Sequence, residues 1–140
     1  GHTYLLLGDG ELNEGQVWEA AMFAAAKRIT NITFLIDWNK RQLDGPVSDI
    51  LEPFNIEEKF RAFGFDACTV NGNDVEQLVQ ALDHPADSCP RAIVMDTIKG
   101  KGVPELEVNP GNHSLTLPEA EWERYLNELK RELTERERGL

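Results

Sequence analysis

The sequence predicts an α/β fold, an open and mostly parallel sheet with helices on both faces. Three observations carry that expectation. Short apolar runs recur at Thr3 to Leu7, Ile32 to Asp37, Ala67 to Val70 and Arg91 to Thr97. Stretches with apolar residues at helical spacing separate them. The first two runs show no alternation with polar residues, the pattern of parallel strands covered on both faces.

Taken in order, Thr3-Tyr4-Leu5-Leu6-Leu7 reads as a strand buried on both faces, stopped by the sharp turn Gly8-Asp9-Gly10. Glu14 to Ile29 is Ala-rich, and Val17, Trp18, Ala21, Met22, Ala24, Ala25 and Ile29 cover much of a helical circumference. That predicts a helix buried on more than one side, broken at Asn31. Ile32 to Asp37 is a β-branched and aromatic strand ending in the polar, turn-forming stretch from Trp38 to Val47. Together these make a β-α-β unit. Asn55 to Phe63 places Ile56, Phe60 and Phe63 at helical spacing, Ala67 to Val70 is a short strand, and Asp74 to Leu82 places Val75, Leu78, Val79 and Leu82 on one face. Arg91 to Thr97 is a further apolar strand closing on Lys99-Gly100-Lys101-Gly102. An irregular stretch through Pro104, Pro110 and Gly111 follows, the kind of loop on which function concentrates. Thr116, three residues ahead of Glu119, predicts a capping box with Pro118 in the first turn. The helix it opens runs to about Arg138. Trp122, Tyr125, Leu126, Leu129 and Leu133 form its apolar stripe, and Glu and Arg at i,i+4 spacing form a solvated face.

The chain has 140 residues, one domain at most, and its 41% hydrophobic and 28% charged residues predict an ordered globular protein. Its net charge of −11, with no Lys/Arg run longer than a pair, leaves nothing to collect phosphates along a duplex or to dock on anionic lipid. Neither nucleic acid nor a membrane is expected as a partner. The longest apolar stretch, Val17 to Ala26, is interrupted by Glu19 and too short to span a bilayer, and no leader pattern opens the sequence, so a cytoplasmic protein is expected. Cys68 and Cys89 form no C-x-x-C pair, and His2, His84 and His113 show no metal-binding spacing, which argues against a zinc site or a disulfide framework.

Two polar turns fall at the carboxyl ends of the first two strands, and ligands of such folds bind there. One is Gly8-Asp9-Gly10 and the other is Asp37-Trp38-Asn39-Lys40-Arg41. Gly10 allows the backbone to approach an anion, and the following helix N-terminus favours negative charge, so a phosphate could rest there. Asp9 alone would repel it. A divalent cation between them resolves the conflict: Mg²⁺ takes about six oxygen ligands, and the Asp9 carboxylate, the Asn39 amide oxygen, a loop carbonyl, phosphate and water supply them. Taken singly, Gly-Asp-Gly is a tight turn and Asn39 a turn former; only the combination is specific.

Gly8-Asp9-Gly10, with Asn39 thirty positions after Asp9, resembles the thiamine diphosphate motif. The run Gly-Asp-Gly-Glu-Leu-Asn-Glu-Gly-Gln-Val-Trp-Glu-Ala, Leu43-Asp44-Gly45-Pro46, Phe63-Gly64-Phe65 and Thr97-Ile98-Lys99-Gly100-Lys101-Gly102 resemble transketolase, above all the N-terminal subunit of the split bacterial type. Of these motifs, Leu-Asp-Gly-Pro and Lys-Gly-Lys-Gly favour transketolase over 1-deoxyxylulose-5-phosphate synthase and the α subunits of 2-oxo-acid dehydrogenases. The resemblance covers nearly the whole chain. It implies a cofactor site at Gly8, Asp9, Gly10, Asn39, Leu43 and Ile98, with Mg²⁺ held by the side chains of Asp9 and Asn39 and by the carbonyl of Arg41. It implies two catalytic positions, Glu14 at the contact with the partner domain's activating glutamate and His113 near the diphosphate and substrate. Two departures stand out: His113-Ser114 replaces the family's His-Gly, and Asn71-Gly72-Asn73-Asp74 replaces Asp-Gly-His-Asp.

The resemblance further implies that residues 1–140 are a partial thiamine diphosphate-binding domain, incomplete at its N-terminus. The implied activity is transfer of a two-carbon ketol unit between sugar phosphates, in an oligomer with a C-terminal transketolase subunit or domain that carries the pyrimidine-binding site. The alternative is a non-catalytic, truncated α/β binding or assembly module whose apolar Gln16 to Ile29 helix docks on a partner.

Overall fold

The computed structural model describes residues 1–84 and 88–139. It divides into two compact units, Gly1–Ile98 and Lys99–Leu140. In the first unit β1 (Thr3–Gly8) is followed by a 3-10 turn (Gly10–Asn13) and α1 (Gly15–Ala26), then β2 (Ile32–Trp38). A two-residue hairpin comes next, β3 (Arg41–Gln42) with β4 (Gly45–Pro46), then α2 (Val47–Ile50), α3 (Ile56–Phe63), β5 (Asp66–Asn71), α4 (Val75–Asp83) and β6 (Arg91–Asp96). The second unit holds α5 (Pro104–Glu107) and α6 (Glu119–Arg138).

Four parallel strands pair in the order β1-β2-β6-β5. Strand alternation sends Phe34, Ile36, Ala92 and Val94 to one face, where α1 and α3 bury Val17, Ala21, Ala24, Ile56 and Phe60 against them. Phe34, Phe60 and Phe65 meet edge to face with centroids 5.2–5.8 Å apart, a geometry that adds to area burial. On the opposite face Leu82 and Asp83 of α4 line one cavity with Tyr4, Thr33 and Arg91. Helices therefore cover both sides of a parallel sheet, as expected. Asn55 caps α3 by accepting the Glu58 amide at 3.0 Å, and Asp74 caps α4 by accepting those of Glu76 and Gln77, so both lie one residue outside the helices they start.

Three expectations are corrected. The first strand is not buried on both faces: Leu7 is 5% exposed, but Tyr4 and Leu6 are 57% and 65% exposed, because β1 is an edge strand with one face uncovered. The first helix is buried on one side only, through Val17, Ala21 and Ala24, and Met22 and Phe23 are left exposed. Thr116 forms no capping box. Pro118 occupies the cap position of α6 without a side-chain bond, which leaves Thr116 two residues too early to reach the first free amides. Of the apolar stripe of α6 only Tyr125 is buried; Arg124 stacks on its ring at 4.4 Å and pairs with Glu105 at 2.8 Å. No helix among the described residues is long and apolar enough to cross a membrane.

Candidate functional site

Parallel registration levels the carboxyl ends of the strands: Gly8 pairs with Asp37, Trp38 with Asp96, and Asn71 with Asp96. The two polar turns therefore leave the same end of the sheet side by side. Asp9, first residue after β1, is 2% exposed. Its carboxylate crosses to the neighbouring loop, where Oδ1 accepts the Asn39 amide at 3.2 Å and Oδ2 accepts the Arg41 amide at 2.8 Å. Lys40, between the two donors, has φ +67°, a left-handed conformation that non-glycine residues seldom adopt. That backbone reversal lets the amides on either side of Lys40 converge on one carboxylate.

Burial raises the pKa of Asp9 above the ordinary 3.8, and the nearby Asp37 charge adds to that; the amides of Asn39 and Arg41 oppose it. No basic side chain pairs with Asp9 among the described residues. The result is a buried carboxylate whose charge is met only by backbone dipoles, a costly arrangement that a bound cation would relieve. Asp37 orients the remaining donor. It accepts Asn39 Nδ2 at 3.4 Å and the Thr97 hydroxyl, so Asn39 Oδ1 is the atom turned toward Arg41, whose amide reaches it at 3.2 Å. Oxygen atoms of Asp9 and Asn39 thus converge with no nitrogen or sulfur ligand among them, a donor set that suits a hard cation such as Mg²⁺.

The structure brings Asp9, Asn39 and Arg41 together and sets Gly8 and Gly10 on either side of Asp9. The Gly8 amide donates to Glu11 Oε2 at 2.7 Å, and a Cβ on Gly10 would stand 3.0 Å from Gln42 Oε1. Glu14 is exposed at the start of α1 and makes no capping bond with its side chain. Leu43, in the turn between β3 and β4, is 69% exposed, and Ile98 is 46% exposed with its amide bonded to Asn73 Oδ1 at 3.0 Å. His113 lies exposed in the second unit beside Lys99. Sequence reasoning missed Asp37 and Thr97 as organisers of Asn39, and Trp18, whose indole donates to the Leu12 carbonyl at 2.8 Å and anchors the turn after Asp9 to the aromatic core. Asp37 could have been found by the rule that pointed to Asp9, since both polar residues end adjacent parallel strands.

The fold and this cluster define an α/β protein with an oxygen-rich polar site at the carboxyl end of a parallel sheet. The family is settled by comparison: residues 1–134 match transketolase, thiamine diphosphate binding domain, and the chain belongs to that family. It is 39% identical over 133 residues to a 6-deoxy-6-sulfo-D-fructose transketolase subunit of a Clostridium species, covering 92% of this chain and 48% of that protein. It is 38% identical over 130 residues to an apulose-4-phosphate transketolase subunit of Actinobacillus succinogenes, covering 92% of this chain and 47% of that one. Human transketolase is 35% identical over 127 residues, 91% of this chain and 20% of its own. Among solved structures, transketolase of Campylobacter jejuni superposes with a TM-score of 0.82 at 28% identity, over 93% of this chain and 21% of that one. The chain spans about half the length of the split-subunit relatives and a fifth of the longer ones.

Proposed function

We propose that residues 1–140 form part of the diphosphate-binding half of a transketolase site. Asp9 and Asn39 would hold Mg²⁺ through their side chains and Arg41 through its carbonyl, and the bound ion would supply the positive charge that the diphosphate of thiamine diphosphate needs. The observation that carries this reading is the buried Asp9 carboxylate, which accepts the amides of Asn39 and Arg41 and has no basic side-chain partner among the described residues. The hairpin geometry supports Arg41 as a carbonyl ligand. Arg41 faces Pro46, which has no N–H to give, and an extended residue turns its N–H and C=O toward the same edge. Its N–H is already bonded to Asp9 on that edge.

Gly10 allows the backbone to approach phosphate oxygens, and the helix start after it favours their negative charge. Leu43 and Ile98 are apolar surfaces for the organic part of the cofactor. When bound, thiamine diphosphate supplies the electron sink for breaking and making the carbon bond, and the protein binds and orients it. Glu14 touches the activating glutamate of a pyrimidine-binding partner, and His113 gives a hydrogen bond to diphosphate or substrate. The reaction is transfer of a two-carbon ketol unit from a ketose phosphate to an aldose phosphate, in an oligomer completed by that partner.

Calorimetry of thiamine diphosphate with Mg²⁺, on the chain assembled with its pyrimidine-binding subunit, tests the ligand set. Asp9→Ala is expected to abolish binding and Asn39→Ala to weaken it less, since Asp9 is the one charged protein ligand. Wild-type affinity in Asp9→Ala would overturn the assignment.

A further inference from the structure

The two lysines of Lys-Gly-Lys-Gly have different fates. Lys101 turns to α5: its Nζ lies 3.6 Å from Glu107 Oε1, and the same oxygen accepts the Gly102 amide at 3.0 Å. Lys99 turns to His113, with Nζ 3.1 Å from the ring Nδ1. An ammonium has three donors and no acceptor, so in this pair Nδ1 must be the acceptor. The single proton of the neutral ring then sits on Nε2.

The backbones that carry the pair are pinned from both sides. Asn112, the neighbour of His113, donates through Nδ2 to the carbonyl of Lys99 at 3.2 Å and to that of Leu106 at 2.6 Å. Gly100, the neighbour of Lys99, has φ +80°, and a Cβ there would stand 2.9 Å from Leu106 Cβ and 3.0 Å from its carbonyl carbon. The turn therefore packs on α5 with no space to shift, and Lys99 and His113 are both tied to Leu106 through adjacent residues.

We propose that Lys99 is the positioning residue of His113, fixing the ring as an Nε2–H donor. The role given to His113 itself rests on the function proposed above. A ring locked in this form offers a proton to a phosphate oxygen and cannot take one at Nε2, so His113 binds and orients an anion and does not act as a base through that atom.

Long-range ¹H–¹⁵N spectra of the ¹⁵N-histidine-labelled chain, assembled with its pyrimidine-binding subunit, read the tautomer directly; His113→Gln assigns the resonances. The wild type is expected to show His113 with Nδ1 bare and Nε2 protonated. Lys99→Met is expected to shift Nδ1 as the proton redistributes between the nitrogens, Lys99→Arg to restore the wild-type pattern, and Lys101→Met to leave it unmoved. Coincident wild-type and Lys99→Met spectra would overturn the proposal, as would a wild-type proton on Nδ1. The second outcome needs no variant to fold. Calorimetry with thiamine diphosphate and Mg²⁺ on the same wild-type sample separates the two ideas: no binding beside an intact Nε2–H pattern contradicts the cofactor reading and leaves the Lys99–His113 pairing standing.

Discussion

Asp9 keeps a charge where burial penalises charge, and that conflict has a measurable sign. In the unfolded chain its carboxyl titrates near 3.8; in the folded chain burial holds the proton to higher pH. Between the two values the native state binds more protons, so the contribution of Asp9 to stability falls as pH rises from 3.8 through the raised value and is flat beyond it. Without Mg²⁺ and cofactor, the unfolding free energy of the wild type relative to Asp9→Ala is expected to decline across that window in urea titrations. A rise would show that the amides of Asn39 and Arg41 outweigh desolvation. Arg41 separates backbone from side chain in the same loop. Arg41→Ala keeps the amide bonded to Asp9 and the carbonyl, and should leave Mg²⁺-dependent cofactor affinity nearly unchanged. Arg41→Pro deletes the amide that reaches Asp9 at 2.8 Å and disfavours the conformation of Lys40 before it, so affinity should fall at least tenfold. Equal tolerance of the two, by calorimetry, would count against a carbonyl ligand.

At the level of elements, the strand-helix alternation was legible because the signals are local: apolar runs and helical spacing; that Asn55 and Asp74 cap their helices emerged only from the structure. The pairing of the Gly8 and Asp37 ends followed from β-α-β logic alone. The hairpin at Arg41–Gln42 and Gly45–Pro46 was read only as a polar turn, since two-residue strands carry no periodicity. α5 was hidden by Pro104, which starts a short helix as readily as it ends one. The exposure of β1 was invisible for a different reason, that an apolar run does not say whether its strand is central or at an edge. Asp9, Asn39 and Arg41 were legible as a candidate site through their motif, and the fold brings them together, whereas Asp37 and Thr97 act through contacts that only the fold creates. Gly72 belongs to this scale. A Cβ there would stand 2.5 Å from Thr97 Cγ2 and 2.8 Å from Met95 Cβ, so the turn between β5 and α4 can lie against the end of β6 only without a side chain. Gly72→Ala is expected to cost about 1–3 kcal/mol by overpacking, measured by urea unfolding. A value near zero would show that this turn yields freely.

As a whole, the first unit leaves several large apolar side chains outside its own core. Tyr4 and Leu6 lie bare on β1, and Met22 and Phe23 on α1 are 49% and 59% exposed. These exposed side chains are the ones the proposed assembly would bury. The chain also matches only about half of its split-subunit relatives. The partner-completed cofactor site proposed above predicts that these apolar surfaces are buried on assembly. The direct measurement is a calorimetric titration of thiamine diphosphate, with Mg²⁺ present, into the chain mixed with the matching pyrimidine-binding subunit, alongside each component alone and a Mg²⁺-free mixture. Saturable binding only in the mixture containing Mg²⁺ is the predicted result. Absence of binding in that mixture, with the two proteins shown to associate, would contradict a Mg²⁺-diphosphate site and favour a non-catalytic assembly module.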